Sequence, residues 1–263
     1  MKRSRFLPWL GFLLGAAYFL LPLIATVEFS MRIKREAYSF GAYANVLADP
    51  AFRQTFTYSA TVALFTIVIG TVLVVPAAYF VRLKLPALRP FLEFITLLPL
   101  VIPPIILVFG YIRMFNSSSL LPLTSTAQGT NVLLTFGYVT LSLPYMYRAV
   151  DTGLRAIDVQ TLTEAATILG AGTPTILMRV IFPNILIAVL SGAFLSFAIV
   201  IGEFVMASLL NRPAFGPYMQ IIGTNKAYEP AALAIIAFII TWGSMGMIQL
   251  LARFAPKTTV HAD

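Results

Sequence analysis

Long apolar runs alternate with short polar segments along this chain. Six of the runs come near the roughly 20 residues that carry a helix across about 30 Å of hydrocarbon. They cover about residues 6–27, 54–81, 94–112, 132–147, 184–210 and 230–252. The second has no charge between Arg53 and Arg82, the fourth is the shortest, and the fifth holds Glu203 within it. The pattern predicts an all-α membrane protein of six transmembrane helices, a single domain over residues 1–263. Pro76, Pro99, Pro103, Pro104 and Pro144 fall inside the runs, where each removes a backbone donor and can kink a helix. Pro99, Pro103 and Pro104 either shape a path-lining bend in the third span or simply reflect how common proline is in membrane helices.

Composition supports the membrane reading. Hydrophobic residues make up 59% of the chain and charged residues 11%, against about 25% charged in soluble domains. The net charge of +8 comes from short basic clusters between apolar runs, a topology signal rather than a nucleic-acid face. With both termini in the cytoplasm, the inner segments carry Lys2, Arg3, Arg5, Arg82, Lys84, Arg89, Arg148, Arg155, Arg179, Arg253 and Lys257. The outer segments carry Arg32, Lys34, Arg35, Arg53, Arg113, Arg212 and Lys226, so the count is eleven against seven. The first run is longer than the roughly 7–15 residues of a signal-peptide core and lacks a small-x-small cleavage site, so we expect it to be retained. There is no cysteine, hence no disulfide and no thiolate metal site.

The loop between the fourth and fifth runs, about residues 149–183, contains EAATILGAGTPTILMRVIFP from Glu164. Asp158 reads as the N-cap of a helix over Val159–Leu169. Gly170 and Gly172 supply positive φ and can end it. Thr173-Pro174 then reads as a cap followed by proline at the first helical position. The product is two short helices joined by a glycine elbow. Ala165 and Ala166 leave a face without bulk on which another protein can approach closely, and Glu164 offers a carboxylate to a basic partner. The alternative is an ordinary amphipathic loop helix packed on its own chain.

This stretch resembles the EAA signature of permease subunits in binding-protein-dependent ABC importers. Glu164, Ala165, Ala166, Gly170 and Pro183 stand at the family's spacing; Phe182 replaces the usual Leu and Val180 the usual Ile. The resemblance extends over roughly residues 40–255. It includes the run from Tyr43 to Pro50, LPLVIPP at 98–104 and SFAIVIGEF at 196–204. Within the type I importers the chain looks most like the second permease component of spermidine/putrescine-type systems. Permeases for sulfate, molybdate, ferric iron, opines and aminoethylphosphonate share much of the pattern.

The resemblance implies a multi-pass protein of the cell inner membrane with a type I permease fold and a cytoplasmic coupling helix. It implies a second permease, in a heterodimer, that encloses one solute path with this chain, and an ATPase dimer that receives the EAA helix. It also implies an external solute-binding protein. ATP and Mg would sit on the ATPase, since this chain has no G-x-x-x-x-G-K-[ST] loop and needs no cofactor of its own. A polyamine such as spermidine or putrescine is the expected solute, and loss of the Glu164 carboxylate should weaken docking or coupling.

Intramembrane charge is scarce and usually faces protein or water. Glu203 reads either as a path carboxylate that attracts a cation or as a structural anchor. Tyr111 and Tyr138 could add cation–π contacts along the path, although interfacial tyrosines are common. The only histidine, His261, lies in the tail. No carboxylate pair, triad or metal-ligand spacing supports catalysis. An ion-gradient-driven secondary transporter is the other class to weigh, but it would normally show several intramembrane ionisable groups and an internal repeat, and neither is evident.

Overall fold

The computed structural model describes residues 6–34 and 37–254. Lys2, Arg3, Arg5, Arg35, Lys257 and His261 therefore lie outside the described residues. The fold is helical: α1 (Phe6–Ser30), α2 (Gly41–Ala48), α3 (Pro50–Leu83), α4 (Arg89–Val101), α5 (Pro104–Met114), α6 (Ala127–Arg155) and α7 (Val159–Ile168) come first. Then follow α8 (Thr173–Thr175), a π-helical turn (Ile176–Ile181), α9 (Phe182–Asn184), α10 (Leu186–Gly202), α11 (Val205–Leu209), α12 (Phe215–Asn225) and α13 (Glu229–Phe254). Backbone contacts group the chain into two compact units, where the sequence suggests one domain. One holds the residues up to Gln54 with Tyr218–Ile240; the other holds Thr55–Pro217 with the residues from Thr241 on.

In the first unit, α1 is apolar all round and leaves Phe12, Tyr18 and Phe19 largely exposed, as suits a surface facing lipid. Buried Ser30 meets the Tyr43 hydroxyl at 2.7 Å. From α2, Asn45 donates to Glu229 at 3.2 Å, and Tyr218 donates to Asp49 at 2.8 Å. Burial, reinforced by that bond to Asp49, pushes the Tyr218 hydroxyl above the ordinary phenol range.

The second unit carries two apolar cores. One joins Val74, Val75 and Tyr79 of α3 to Met146, Val150 and Leu154 of α6, to Val159 and Ala166 of α7, and to Ile185 and Val189. The other joins Val62, Val108, Leu134, Tyr138, Val200, Met206 and Leu210. Both contain α6, and its extent explains why the fourth apolar run looks short. The helix spans 29 residues rather than 132–147. It buries Thr130, Tyr138 and Ser142, and polar residues are tolerated on a helix enclosed by its neighbours.

Two expected spans are not continuous helices. The third turns by 98° between α4 and α5. Ile102 (ψ 114°) and Pro103 (ψ 143°) are extended there, because each precedes a proline and is barred from the α region. The chain turns by 79° at Ile185, where the segment Thr173–Asn184 enters the fifth span, and that span breaks at Glu203 and Phe204, between α10 and α11. Among the described residues, α1, α3 and α13 contain segments long and apolar enough to cross a membrane, and the two bent pairs pass the same test when each is taken together.

Candidate functional site

The polar loop after α6 folds into an elbow whose spacing has a direct backbone cause. Asp158 caps α7: its carboxylate accepts from the Thr161 N–H at 3.1 Å and the Thr161 hydroxyl at 2.7 Å. These bonds hold the Asp158 carboxyl below its ordinary range, the backbone N–H being the larger cause. A lowered folded pKa gives stability that is present above the unfolded carboxylate pKa, about 3.9, and is lost as pH falls through the folded value. The protection factor of the Thr161 amide should therefore be largest near neutral pH and fall below about pH 4, and Asp158→Ala should show little protection at either pH.

At the other end of α7, the Ala171 N–H donates to the Ala166 carbonyl at 3.0 Å and the Gly170 N–H to the Thr167 carbonyl at 2.9 Å. This is a Schellman closure, which needs a left-handed residue one position beyond the cap. Gly170 supplies it with φ +82°. Ala171 packs in the same core as buried Ala166. The four-residue step from Ala166 to Gly170 is thus the geometry of a helix end. Gly172 differs from expectation: its φ is −77°, it is the cap of α8, and Thr173 rather than Pro174 is the first helical residue. Nothing lies within 4 Å of a Cβ built on Gly170, and only Pro174 Cδ, at 3.9 Å, approaches one on Gly172. Gly170→Ala should therefore cost about 1–2 kcal/mol from backbone strain alone, while Gly172→Ala should be close to neutral; thermal unfolding of the two purified variants checks the difference.

The faces of α7 divide cleanly. Val159, Thr163 and Ala166 point inward, and Val159 and Ala166 are buried. Glu164 is exposed, accepting from Gln160 Nε2 at 2.9 Å. Ala165 is exposed, whereas Ala166 is not available to a partner, because its methyl is packed inside its own chain. At the tip, Ile168 and Leu169 are 86% and 87% exposed. Neither stands out in the sequence, where apolar residues at a helix end pass for core. Past the elbow the π turn leads to Pro183, which cannot donate a helical hydrogen bond; nearby, Asn184 Nδ2 donates to the Val180 carbonyl at 2.7 Å.

A second polar site lies at the break in the fifth span. Glu203 is buried, and its carboxylate caps α11. It accepts from the Met206 N–H at 2.9 and 3.1 Å and the Ala207 N–H at 3.3 Å. The Tyr138 hydroxyl donates to it at 3.0 Å. Beside Tyr138, Gly137 admits Met206: a Cβ there would overlap the Met206 methyl and lie 3.4 Å from the Tyr111 ring. The structure thus joins Tyr138 to Glu203 and packs Tyr111 against the apolar core that holds Tyr138. Pro99 and Pro103 lie at the bend between α4 and α5, where Pro99 lines an apolar groove of about 230 Å³ and Pro103 is exposed.

The lower end of α6 carries an ion-pair network. Asp151 accepts from Arg155 Nε at 2.8 Å and lies 3.7 Å from Arg82 and 3.6 Å from Arg89. Glu93 accepts from Arg89 at 3.0 Å and lies 3.8 Å from Arg155. The sequence shows these residues only as separate charges. The network joins α3, α4 and α6 beside a cleft of about 490 Å³.

Comparison with known proteins agrees with this architecture. The family model described as the binding-protein-dependent transport system inner membrane component matches residues 70–259. The spermidine/putrescine transport system permease protein PotC of Haemophilus influenzae is 26% identical over 90% of this chain and 93% of its own length. The Escherichia coli K12 protein of the same name is 26% identical over 92% of each. Among solved structures, a chain of the bacterial alginate ABC transporter, in complex with an alginate pentasaccharide-bound periplasmic protein, superposes with a TM-score of 0.75. The two share 12% identity over 97% of this chain and 96% of that one. This chain belongs to the family of binding-protein-dependent transport system inner membrane components and is a permease subunit of a type I ABC importer.

Proposed function

We propose that this permease forms one half of a path for a small polyamine and is driven by a separate ATPase that docks on the elbow from Val159 to Gly170. The observation that carries the docking reading is the two-faced α7. Its inner face is fixed in the core of the second unit, and its tip presents Ile168 and Leu169 bare of any covering side chain. Large apolar side chains left bare beside an exposed carboxylate suit a protein partner. The topology that serves this reading puts both termini and the elbow in the cytoplasm, and a reporter fused at Gly172 that reads as external would sink it. A second permease completes the path as a heterodimer, and an external binding protein delivers the solute.

The polyamine reading rests on relatives named for spermidine and putrescine that align over nine-tenths of the chain. Glu203 does not carry it, since its oxygens are engaged by Met206, Ala207 and Tyr138. Cation selection is therefore assigned to the binding protein and the second permease. The test is gentle extraction of the tagged chain from its own membrane. Recovery of a Walker-motif ATPase, a second permease and a binding protein that takes spermidine or putrescine is the expected result. Recovery of the chain alone, with uptake that survives inactivation of the ATPase, would favour a gradient-driven carrier instead.

A further inference from the structure

We infer that Tyr79 is a positioning residue that ties the coupling helix to the second span, so that α7 and the inner end of α3 move as one body. This rests on the docking reading above. Apolar packing holds α7 in place, but such packing has no preferred direction and allows neighbouring elements to slide. Among the described residues, one side-chain hydrogen bond joins α7 to a membrane helix: the Tyr79 hydroxyl and Thr163 Oγ1 are 3.1 Å apart. The donor is settled by counting protons. The single Thr163 hydroxyl proton goes to the Val159 carbonyl at 2.7 Å, so Tyr79 donates and Thr163 accepts.

The surroundings make this bond directional. Tyr79 is 2% exposed, inside the core that also holds Val159 and Ala166, and its ring meets Phe80 edge-on at 5.4 Å. Thr163 directly precedes Glu164, about 100° from it around the helix axis, and is half-buried on the inner side of α7. A push on the exposed face therefore reaches the Tyr79 bond within one turn of helix. Tyr79 lies one helical turn before the end of α3, a 34-residue helix and the longest among the described residues, so displacement there is displacement of a whole span.

The test uses the complete assembly with its ATPase, second permease and binding protein, with spermidine as the imported probe. Tyr79→Phe and Thr163→Val remove the bond while keeping shape. Each should leave ATPase association intact and raise the ATP consumed per spermidine imported by about fivefold, the scale of one net hydrogen bond. The double variant should be no worse than either single variant, because both delete the same contact. A second readout needs no substrate. The chain has no cysteine, so spin labels at Lys84→Cys and Thr167→Cys report the distance between the end of α3 and α7. That distance should be the same without nucleotide and with ATP plus vanadate, and should shift or broaden in Tyr79→Phe.

Unchanged stoichiometry together with an unchanged label distance in Tyr79→Phe would overturn the inference, as would effects of the two substitutions that simply add. If no ATPase assembles on the unaltered chain, the docking reading fails and takes this link down with it. If the ATPase assembles but spermidine is not imported, only the solute assignment falls, and the label distance decides the link.

Discussion

Glu203→Ala should lower the stability of the chain by about 3 kcal/mol or more, because it strands three buried donors at once. The Met206 and Ala207 N–H groups and the Tyr138 hydroxyl all end on this carboxylate. Each buried donor left without an acceptor costs about 1–3 kcal/mol, and no water in the hydrocarbon can take the place of the lost oxygens. Tyr138→Phe removes one of the three partners and should cost only about 1 kcal/mol. Glu203→Gln decides what the group does. The amide oxygen can still cap α11 at Met206, so the variant should keep most of its thermal stability and most of its uptake. A path carboxylate that attracts a cation would behave in the opposite way: the Gln variant would be stable and inactive. Thermal unfolding in detergent, paired with uptake in vesicles, separates the two.

That site also shows where the sequence was legible and where it was not. Glu203 stands out as an acid in an apolar run, but Gly202-Glu203-Phe204 contains no proline to announce the break between α10 and α11. The break becomes visible only once the carboxylate is seen to supply the acceptors that the first amides of α11 need. The bend at Ile102 and Pro103 was readable, since successive prolines bar the helical region to the residues before them. Its size of 98° was not, because that depends on what α5 packs against. The fourth span looked short for a related reason: hydropathy measures fitness for lipid, and α6 is buried among other helices.

The elbow was the clearest signal in the chain, and its backbone logic is local. A cap at Asp158, a left-handed glycine at Gly170 and an Ala166–Ala171 contact are all set by residues within a few positions of one another. The side facing outward was harder to foresee. Ala166 belongs to the inner face, and Tyr79 and Thr163 meet across 84 positions of sequence, a separation that no local pattern records. Ile168 and Leu169 look like core residues until the fold leaves them bare.

Those two side chains carry the other large effect. Replacing both, as Ile168→Ser with Leu169→Ser, should leave the folding of the isolated chain within about 0.5 kcal/mol, since the side chains touch little in it. Serine adds no charge, so the interaction with the helix dipole is unchanged. In the assembly the outcome should be severe. Apolar anchors that fill a partner's pocket contribute about 2–4 kcal/mol each when truncated, and loss of one anchor already weakens association by about 30-fold to 1,000-fold. Glu164→Ala should do less, because an exposed charge gains little from pairing in water, and what it removes within the chain is the bond from Gln160. The measurement is the amount of ATPase retained on the tagged permease after extraction, with thermal unfolding as the control for folding. If the serine variant keeps its ATPase while Glu164→Ala loses it, docking is led by charge, and the apolar tip is not the seat of the contact.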